Sequence, residues 1–310
     1  MRVKGQSNMR ATLITPLKQY WKTGMTFSLL LRSHPGSPTM KISGVRPTIN
    51  KKQPDKKDKK MTKETLEKIK KLHLWGMART YETSLENDKL TGLSADELLN
   101  MLVEAEWDER QNRNIERRLR NARFRYQSCM ESIDYLTDRN LDRNQLQRFA
   151  EGSFIQKHEN IIITGSTGIG KSYIATALGH QACTMGFKVY YANLGKLFSR
   201  LKMGKADGSY LKEISKIERQ DLLIIDDFGL LPIDSGNRAA LLEIVEDRHK
   251  KSSMIITSQL PVNCWYEVIG EKTVADAILD RIVHDAHRIE LRGESLRKTR
   301  YTQKKMEILN

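Results

Sequence analysis

Gly165-Ser166-Thr167-Gly168-Ile169-Gly170-Lys171-Ser172 decides the fold of this 310-residue chain, because it matches the phosphate-loop pattern G-x-x-x-x-G-K-[ST] at every position. Glycines allow the backbone to wrap closely around phosphates, with successive amide N–H groups pointing inward. Lys171 carries a point charge for the terminal phosphates, and the Ser172 hydroxyl is a hard oxygen ligand suited to Mg²⁺. The stretch therefore predicts that the chain binds a nucleoside triphosphate.

The segments on both sides of the loop have the pattern that such a loop requires. Residues 159–164 form a short apolar run typical of a buried strand, and residues 173–182 have the pattern of a helix. The amino terminus of that helix would face the loop, where free N–H groups attract phosphate. A glycine-rich turn that arose by chance would not have both neighbours. We therefore assign nucleotide binding to the residues from Gly165 to Tyr173.

A second stretch supplies acidic groups. Asp221-Leu222-Leu223-Ile224-Ile225-Asp226-Asp227 is an apolar strand that ends in two acids, and ligands lie at the carboxyl ends of the strands in parallel sheets. Asp226 is predicted to hold Mg²⁺ through water or Ser172, and Asp227 to polarise the attacking water as general base. The alternative, an acidic turn after a strand, is disfavoured downstream of a phosphate loop.

Two further positions are candidates for catalysis, and each has a structural alternative. Thr257-Ser258-Gln259 ends the next apolar run, so Thr257 or Ser258 could sense the γ-phosphate or orient water, or could only end a strand. Arg281 lies near the end of a predicted helix. It could stabilise transition-state charge at the nucleotide of a neighbouring subunit, or it could pair with an acid nearby in the sequence. Those acids are Asp280, Asp285 and Glu267.

Residues 160–292 alternate predicted strands and helices, as in a parallel α/β sheet. The predicted strands are Ile161–Thr164, Lys188–Asn193, Leu222–Asp226, Met254–Ser258 and Arg288–Leu291. The predicted helices are Lys171–Met185, Leu194–Met203, Asn237–Lys250 and Val274–His284. We predict an α/β fold of the P-loop NTPase type, a parallel sheet flanked by helices.

The positive charge of the chain is concentrated at its amino end. Residues 1–60 hold 14 Lys/Arg and 2 acidic residues, a net charge of +12, so residues 61–310 carry only +3 of the total of +15. The composition of residues 1–60 cannot bury enough apolar surface to offset chain entropy, and we predict that residues 1–60 are disordered. Such a tail is either simply solvated or attracts phosphate groups non-specifically. Met61 opens an amphipathic pattern and is a candidate biological start.

Residues 61–150 are predicted to form a small all-helical domain. Gly76 is a predicted break between two helices, and Ser94 is a predicted N-cap followed by acids in the first turn. A long helix is predicted from Asp96 to about Cys129, with apolar residues on one face.

An arginine stripe occupies another face of that long helix. Between Arg110 and Arg125 there are seven arginines and one acid, Glu116. The stripe is either a solvated surface with internal ion pairs or a row of contacts to a DNA phosphate backbone. We favour DNA because so few acids are interleaved. The candidate contacts are Arg113, Arg117 and Arg120.

Cysteine usage and hydropathy indicate a cytoplasmic protein. Cys129, Cys183 and Cys264 are scattered and lack metal-ligand spacing, which favours a reducing compartment. No apolar run approaches the roughly 18 residues that span a bilayer, so we expect no membrane association.

From Met61 to about Arg300, the chain resembles the IstB-type ATP-binding proteins of insertion sequences, which assist a transposase. Several stretches besides the phosphate loop carry the resemblance. They are Trp75-Gly76-Met77-Ala78-Arg79, Glu104-Ala105-Glu106-Trp107, Ile133-Asp134-Tyr135, Leu141-Asp142-Arg143, Thr257-Ser258-Gln259-Leu260-Pro261, Ala275-Asp276-Ala277-Ile278-Leu279-Asp280-Arg281 and Gly293-Glu294-Ser295-Leu296-Arg297.

The resemblance implies an AAA+ ATPase related to the DnaC and DnaI helicase loaders. It implies ATP and Mg²⁺ as cofactors, a homo-oligomeric ring or helical filament, and partners in double-stranded DNA and a cognate transposase. Target choice would follow from deforming DNA rather than reading bases. By position, Arg281 is similar to a trans-acting arginine finger, and Thr257 or Ser258 to the sensor.

The chain departs from that family at both ends. Residues 1–60 have no recognised counterpart, and 18 residues after Arg292 are too few for the helical lid of many AAA+ proteins. Arg297 is only a substitute candidate for a second sensor. The expected organisation is a basic extension over 1–60, a helical DNA-binding and assembly domain over 61–150, an ATPase domain over 151–300 and a tail over 301–310.

Three other functions remain open at this point. A replicative helicase loader would share the fold and respond to single strands. A small-molecule kinase would need a closing lid and an acceptor pocket, which the sequence does not indicate. A scaffold that uses ATP only to assemble would not need Asp227 for its function.

Overall fold

The computed structural model describes residues 56–87, 92–135 and 138–296. These described residues belong to one compact unit. Most of the predicted basic extension, the tail over 301–310 and Arg297 lie outside the described residues, and the predicted domain boundaries stay predictions.

A five-stranded parallel sheet forms the centre of the described unit, with strand order β2-β3-β4-β1-β5. The strands are almost continuously apolar because helices cover both faces of the sheet. This arrangement confirms the predicted α/β fold, although the strands differ from their predicted bounds by one or two residues. They are β1 (Asn160–Gly165), β2 (Val189–Asn193), β3 (Leu222–Phe228), β4 (Ser253–Ser258) and β5 (Ala286–Leu291).

The helices divide between the amino-terminal segment and the two faces of the sheet. In the amino-terminal segment they are α1 (Lys56–Lys71), α2 (Trp75–Glu86), α3 (Ala95–Ala122), α4 (Arg143–Ala150) and α5 (Ser153–Gln156). Among and after the strands they are α6 (Lys171–Thr184), α7 (Leu194–Asp207), α8 (Tyr210–Glu218), α9 (Ser235–Arg248), α10 (Trp265–Ile269) and α11 (Lys272–Val283). The predictions lacked α8 and α10.

Alternate residues of each strand face two separate apolar cores. Ile161 and Ile163 of β1 pack with α6, while Ile162 packs with residues of α7, α9 and α11. Helix α8 belongs to the second core through Ile214 and Ile217. Their spacing of three residues was the signal for this helix.

Helix α3 begins as predicted and ends earlier than predicted. Ser94 and Glu97 form a capping box, with hydrogen bonds of 3.2 Å and 2.8 Å between side chains and backbone amides. The helix stops at Ala122, not at Cys129, because Arg123 adopts a left-handed conformation with φ of 57°. Phe124 then turns onto α6, where a Cβ on Gly179 would lie 2.8 Å from its ring.

Gly76 lies inside α2, so its prediction as a helix break was wrong. The chain reverses before it, at His73, whose φ is 58°. Gly76 is instead a point of close contact between α2 and α3, because a Cβ there would lie 2.2 Å from the carbonyl oxygen of Ala105.

The buried carboxylate of Glu106 fastens the same contact. It accepts hydrogen bonds from the backbone amides of Gly76, at 2.8 Å, and Met77, at 3.4 Å, and from Arg110 at 2.8 Å. Burial disfavours its charge, but the hydrogen bonds from Arg110 and the two amides outweigh burial and hold the pKa of Glu106 below its usual range. Glu106 therefore satisfies the first turn of α2 from a neighbouring helix.

We expect Gly76→Ala to lower the free energy of unfolding by about 2 kcal/mol, because the new methyl group must displace backbone atoms of α3. Gly236→Ala, in the first turn of α9, is the matched control. Its new methyl group would lie in ordinary van der Waals contact, 3.6 Å from the Asp234 side chain. That control should be neutral or stabilising by up to about 1 kcal/mol. Urea unfolding followed by circular dichroism measures both, and equal stabilities would contradict the tight contact.

Among the described residues, no helix has both the length and the apolar character needed to cross a membrane.

Candidate nucleotide-binding site

The phosphate loop connects the carboxyl end of β1 to the amino end of α6, as its sequence predicts. Gly170 needs its lack of a side chain, because its φ is 105° and a Cβ would lie 2.6 Å from Nη1 of Arg139. Arg139 supports the loop, donating to the carbonyl oxygens of Ile169 at 2.9 Å and Asp134 at 2.5 Å. The sequence analysis did not identify Arg139.

Lys171 directs its ammonium group into the loop. Its Nζ donates to the carbonyl oxygens of Gly165, at 2.8 Å, and Ser166, at 2.9 Å, and the residue is only 6% exposed. A positive charge is thus held beside loop amides that can bind phosphate oxygens. This is the position that the motif predicts for Lys171.

Asp226 lies at the carboxyl end of β3 and is fully buried. Three hydroxyl groups donate to its carboxylate: Ser172 at 2.7 Å, Tyr191 and Thr257. Burial, together with the hydrogen bond to Asp226, raises the pKa of Tyr191, so this phenol remains a donor. Ser172 and Asp226, the two residues predicted to hold Mg²⁺, are thus joined by a direct hydrogen bond.

The donor set at Ser172 and Asp226 fits Mg²⁺, which prefers hard oxygen ligands and octahedral geometry. The described residues contain no cluster of three or more His, Cys, Asp or Glu side chains able to hold a metal ion. A magnesium ion would therefore take one or two protein oxygens here, with phosphate oxygens and water completing its coordination.

Asp227 occupies a strained position beside Asp226. It interrupts the regular pairing of β3 with β4 and has a left-handed φ of 61°. Its carboxylate accepts a hydrogen bond from Asn193 at 2.7 Å. Burial, and then the charge of Asp226, raises the pKa of Asp227, which makes its carboxylate a stronger base than an ordinary aspartate.

The two sensor candidates lie in different surroundings. Thr257 reaches the site, donating to Asp226 and accepting from the amide of Asp227 at 3.3 Å. Ser258 is turned away, since its hydroxyl donates to the carbonyl of Phe228 at 2.8 Å and accepts from the amide of Leu260 at 3.1 Å. The geometry accordingly favours Thr257, while Ser258 joins β4 to the segment after β3.

Arg281 lies at the amino ends of the strands, whereas the phosphate loop lies at their carboxyl ends. Asn160, the first residue of β1, donates to the backbone carbonyl of Arg281 at 3.3 Å. Five residue steps along β1 separate Asn160 from Gly165, a length of about 17 Å. Arg281 therefore does not reach the phosphate loop of its own chain.

The acidic partner of Arg281 is Glu246 of α9, at 3.1 Å. The partners suggested by the sequence (Asp280, Asp285 and Glu267) were wrong, because the packing of α11 against α9 brings together residues that are distant in the chain. Arg281 also donates to the carbonyl of Ala277 at 2.8 Å within α11.

The predicted DNA contacts are exposed on α3 and lie apart from the cavity at the loop. Arg113 pairs with Glu109 at 3.1 Å, and Arg117 donates to Asn114 at 3.2 Å. Arg120, one turn further on, is also exposed. Two of the three thus have a partner within the helix, and all three present a positive group to solvent.

A cavity of about 470 Å³ opens over the loop. Five of the residues assigned to the site from the sequence line it: Thr167, Lys171, Ser172, Tyr173 and Asp227. The segment between α3 and α4 supplies a further wall that sequence reasoning missed. Its lining residues are Arg125, Tyr126, Gln127, Ser132, Asp134 and Arg139.

Known proteins with similar sequences are insertion-sequence proteins. The chain is 45% identical over 234 residues to a putative insertion sequence ATP-binding protein of Sinorhizobium fredii, covering 76% of this chain and 96% of the relative. It is 37% identical over 202 residues to the putative ATP-binding protein of insertion sequence IS1162 from Pseudomonas fluorescens, covering 65% and 87%.

Among solved structures, the chain is similar to the DnaC helicase loader, with a TM-score of 0.46, 18% identity and coverage of 53% of this chain and 97% of that one. For DnaI, the TM-score is 0.47, the identity 23% and the coverage 57% and 94%.

Family membership rests on a match that spans most of the chain. Residues 67–304 match the family model described as IstB-like ATP binding protein. The parallel sheet, the loop after β1 and the acids of β3 agree with the predicted P-loop NTPase fold of the AAA+ type. This chain belongs to the IstB-like ATP-binding protein family.

Proposed function

We propose that this protein is a DNA-binding AAA+ ATPase that assists a transposase during the transposition of an insertion sequence. The observation that carries the proposal is the hydrogen-bonded set of Ser172, Asp226 and Thr257 beside Lys171, in a chain whose relatives are named as ATP-binding proteins of insertion sequences. Its place of action is the cytoplasm, where its DNA lies.

The site residues divide the work of hydrolysis. Loop amides and Lys171 bind the phosphates. Ser172 and Asp226 would hold Mg²⁺, which would supply positive charge to neutralise the phosphates. Asp227 takes a proton from the attacking water, and its raised pKa suits that role. Thr257 positions the two acids at the end of β3, because it donates to the Asp226 carboxylate and accepts from the Asp227 amide.

A homo-oligomer supplies the remaining positive charge. Because Arg281 lies about 17 Å from its own loop, it acts on the nucleotide of a neighbouring subunit. In the isolated chain it pairs with Glu246 instead. Assembly therefore exchanges an internal ion pair for one with a phosphate.

The exposed arginines of α3 follow the phosphate backbone of double-stranded DNA. We expect the double substitution Arg117→Glu with Arg120→Glu to weaken duplex binding by about 100-fold or more and to reduce its salt dependence, because two phosphate contacts become repulsive. Titrations of labelled duplex at several salt concentrations measure both effects. Arg148→Glu with Lys157→Glu, on exposed residues of the α4–α5 region, is the matched control. Equal losses in both pairs would assign the effect to net charge alone.

The ATPase rate with different DNAs tests the function as a whole. We expect long duplex DNA to stimulate steady-state ATP hydrolysis by the full-length protein, since the proposed partner is double-stranded. Stimulation by single strands alone would contradict the proposal and point to a helicase loader. No hydrolysis under any condition would indicate a protein that uses ATP only to assemble.

A further inference from the structure

Arg125 separates two cavities that have different chemical character. It lines the 470 Å³ cavity over the phosphate loop and also a second cavity of about 680 Å³. Asp227 lines both as well. The Arg125 side chain therefore lies at the boundary between the two cavities.

In the structure, the guanidinium faces the two acids of β3. Its Nη1 lies 3.7 Å from Oδ2 of Asp227 and 4.0 Å from Oδ2 of Asp226. These distances exceed a hydrogen bond, and half of the Arg125 side chain is exposed. Arg125 also interacts with the hydroxyl of Tyr191, but two loose ion pairs and a neutral hydroxyl are weaker partners than a nucleic-acid phosphate.

The residues next to Arg125 connect it to neighbouring parts of the structure. Phe124 packs against Gly179 of the phosphate-loop helix, and the Tyr126 ring lies 5.3 Å from the Arg125 guanidinium carbon. Arg125 comes three residues after the end of α3. A change at Arg125 is thereby connected to both the loop helix and the helix that carries the exposed arginines.

The second cavity is strongly basic. Arg123, Lys196 and Arg200 line it together with Arg125, and Asp227 is the acidic residue among the lining groups. Lys216 lies against the same Tyr190 ring as Arg200. Burial, and next the charge of Arg123, lowers the pKa of Lys216, as expected where positive charges are crowded.

Arg200 is the partly neutralised member of this group, since its guanidinium donates to the Tyr190 hydroxyl and lies 4.0 Å from Glu213. Lys196 is exposed at the first turn of α7. Several cations around an open cavity are the chemistry that binds a nucleic-acid phosphate.

We propose that Arg125 couples DNA binding to the nucleotide site by exchanging its guanidinium between the carboxylates of Asp226 and Asp227 and a DNA phosphate in the basic cavity. This inference rests on the proposed DNA-dependent ATPase. Arg125 and Mg²⁺ compete for Asp226, so moving Arg125 to a phosphate increases the affinity for Mg²⁺ with nucleotide. Linkage requires the reverse effect, in which Mg²⁺ with nucleotide tightens DNA binding.

The test is the Mg²⁺ concentration that gives half-maximal binding of a fluorescent, non-hydrolysable ATP analogue to the full-length protein at constant ionic strength. For the unsubstituted protein, duplex DNA lowers this concentration by about fivefold. Arg125→Gln lowers it by a similar factor without DNA, because a competing cation is removed. Duplex DNA then produces no further change in that variant.

Two other variants separate coupling from general effects of charge. Without DNA, Lys196→Gln needs the same Mg²⁺ concentration for half-maximal binding as the unsubstituted protein. Duplex DNA lowers that concentration by a smaller factor in this variant. Arg148→Gln removes an exposed arginine of α4, outside both cavities, and changes neither quantity. Binding of the analogue at saturating Mg²⁺ and the thermal midpoint verify that each variant is folded.

Two results overturn the coupling. One is that Arg125→Gln without DNA leaves the Mg²⁺ concentration for half-maximal binding (the Mg²⁺ midpoint) unchanged, and the other is that duplex DNA still lowers this concentration fully in that variant. Duplex binding, followed separately by anisotropy, distinguishes this failure from failure of the proposed function. A protein that binds duplex without any shift in its Mg²⁺ midpoint retains the proposed function and loses only the role of Arg125. A protein that binds no duplex loses both.

Discussion

Lys171→Ala is expected to abolish nucleotide binding, with the dissociation constant for ATP rising by at least about 100-fold. The substitution removes the ammonium group that the loop holds through the carbonyls of Gly165 and Ser166. Phosphate groups bound by loop amides would then lack their compensating charge, and truncating a buried charged partner costs about 2–5 kcal/mol. Calorimetric titration of the purified protein with ATP and Mg²⁺ measures the loss.

The control for this variant is Lys157→Ala, which removes an exposed lysine beside α5 and outside the cavity. Its affinity for ATP should equal that of the unsubstituted protein. Full ATP affinity in Lys171→Ala would show that residues 165–172 are not the phosphate-binding loop.

Arg281→Ala is expected to lower kcat in the assembled protein by about 1,000-fold while leaving ATP binding intact. The size of the effect is that of other arginines that stabilise transition-state charge in phosphoryl transfer. ATP binding persists because Arg281 lies at the amino edge of the sheet, away from its own loop. Steady-state hydrolysis and ATP titration of the same preparation separate the two quantities.

Glu246→Ala distinguishes catalysis from a merely structural ion pair. It removes the internal partner of Arg281 and keeps the arginine, so hydrolysis in the assembly should be retained. If Arg281→Ala and Glu246→Ala reduced kcat equally, the ion pair between Arg281 and Glu246 would have a structural role only.

Mixed assemblies give a direct test of action in trans. Lys171→Ala subunits bind no nucleotide but contribute Arg281, while Arg281→Ala subunits bind nucleotide but lack the arginine. Each variant alone should be inactive, and a mixture should recover part of the ATPase rate. No recovery in mixtures that do assemble would contradict the proposed position of Arg281 at a neighbour's nucleotide.

The sequence predicted those parts of the site whose residues are contiguous in the chain. The loop from Gly165 to Ser172 and the pair Asp226 and Asp227 each follow an apolar strand, and parallel pairing brings the carboxyl ends of these strands together. Strand bounds were close because buried strands are continuous apolar runs.

Contacts that depend on packing between distant elements were missed. Arg125 and Arg139 reach the cavity from positions 40 and 26 residues before Gly165, and nothing in their local sequence indicates this. The pairing of Arg281 with Glu246 depends on how α11 lies on α9. Gly76 looked like a helix break because its close contact with α3 cannot be read from α2 alone.

The phosphate loop lies at the carboxyl ends of the strands and Arg281 at their amino ends, and this placement has a consequence for symmetry. An interface that joins these unlike ends of the sheet is heterologous, so it cannot be completed in a two-fold dimer. In the proposed assembly, subunits would follow one another head to tail, in a ring that closes or a filament that does not. In an open filament, one terminal subunit holds a nucleotide without a neighbour's arginine, and the other exposes an unused Arg281. Growth and loss of subunits would then have a direction, with hydrolysis-competent sites only between the two ends.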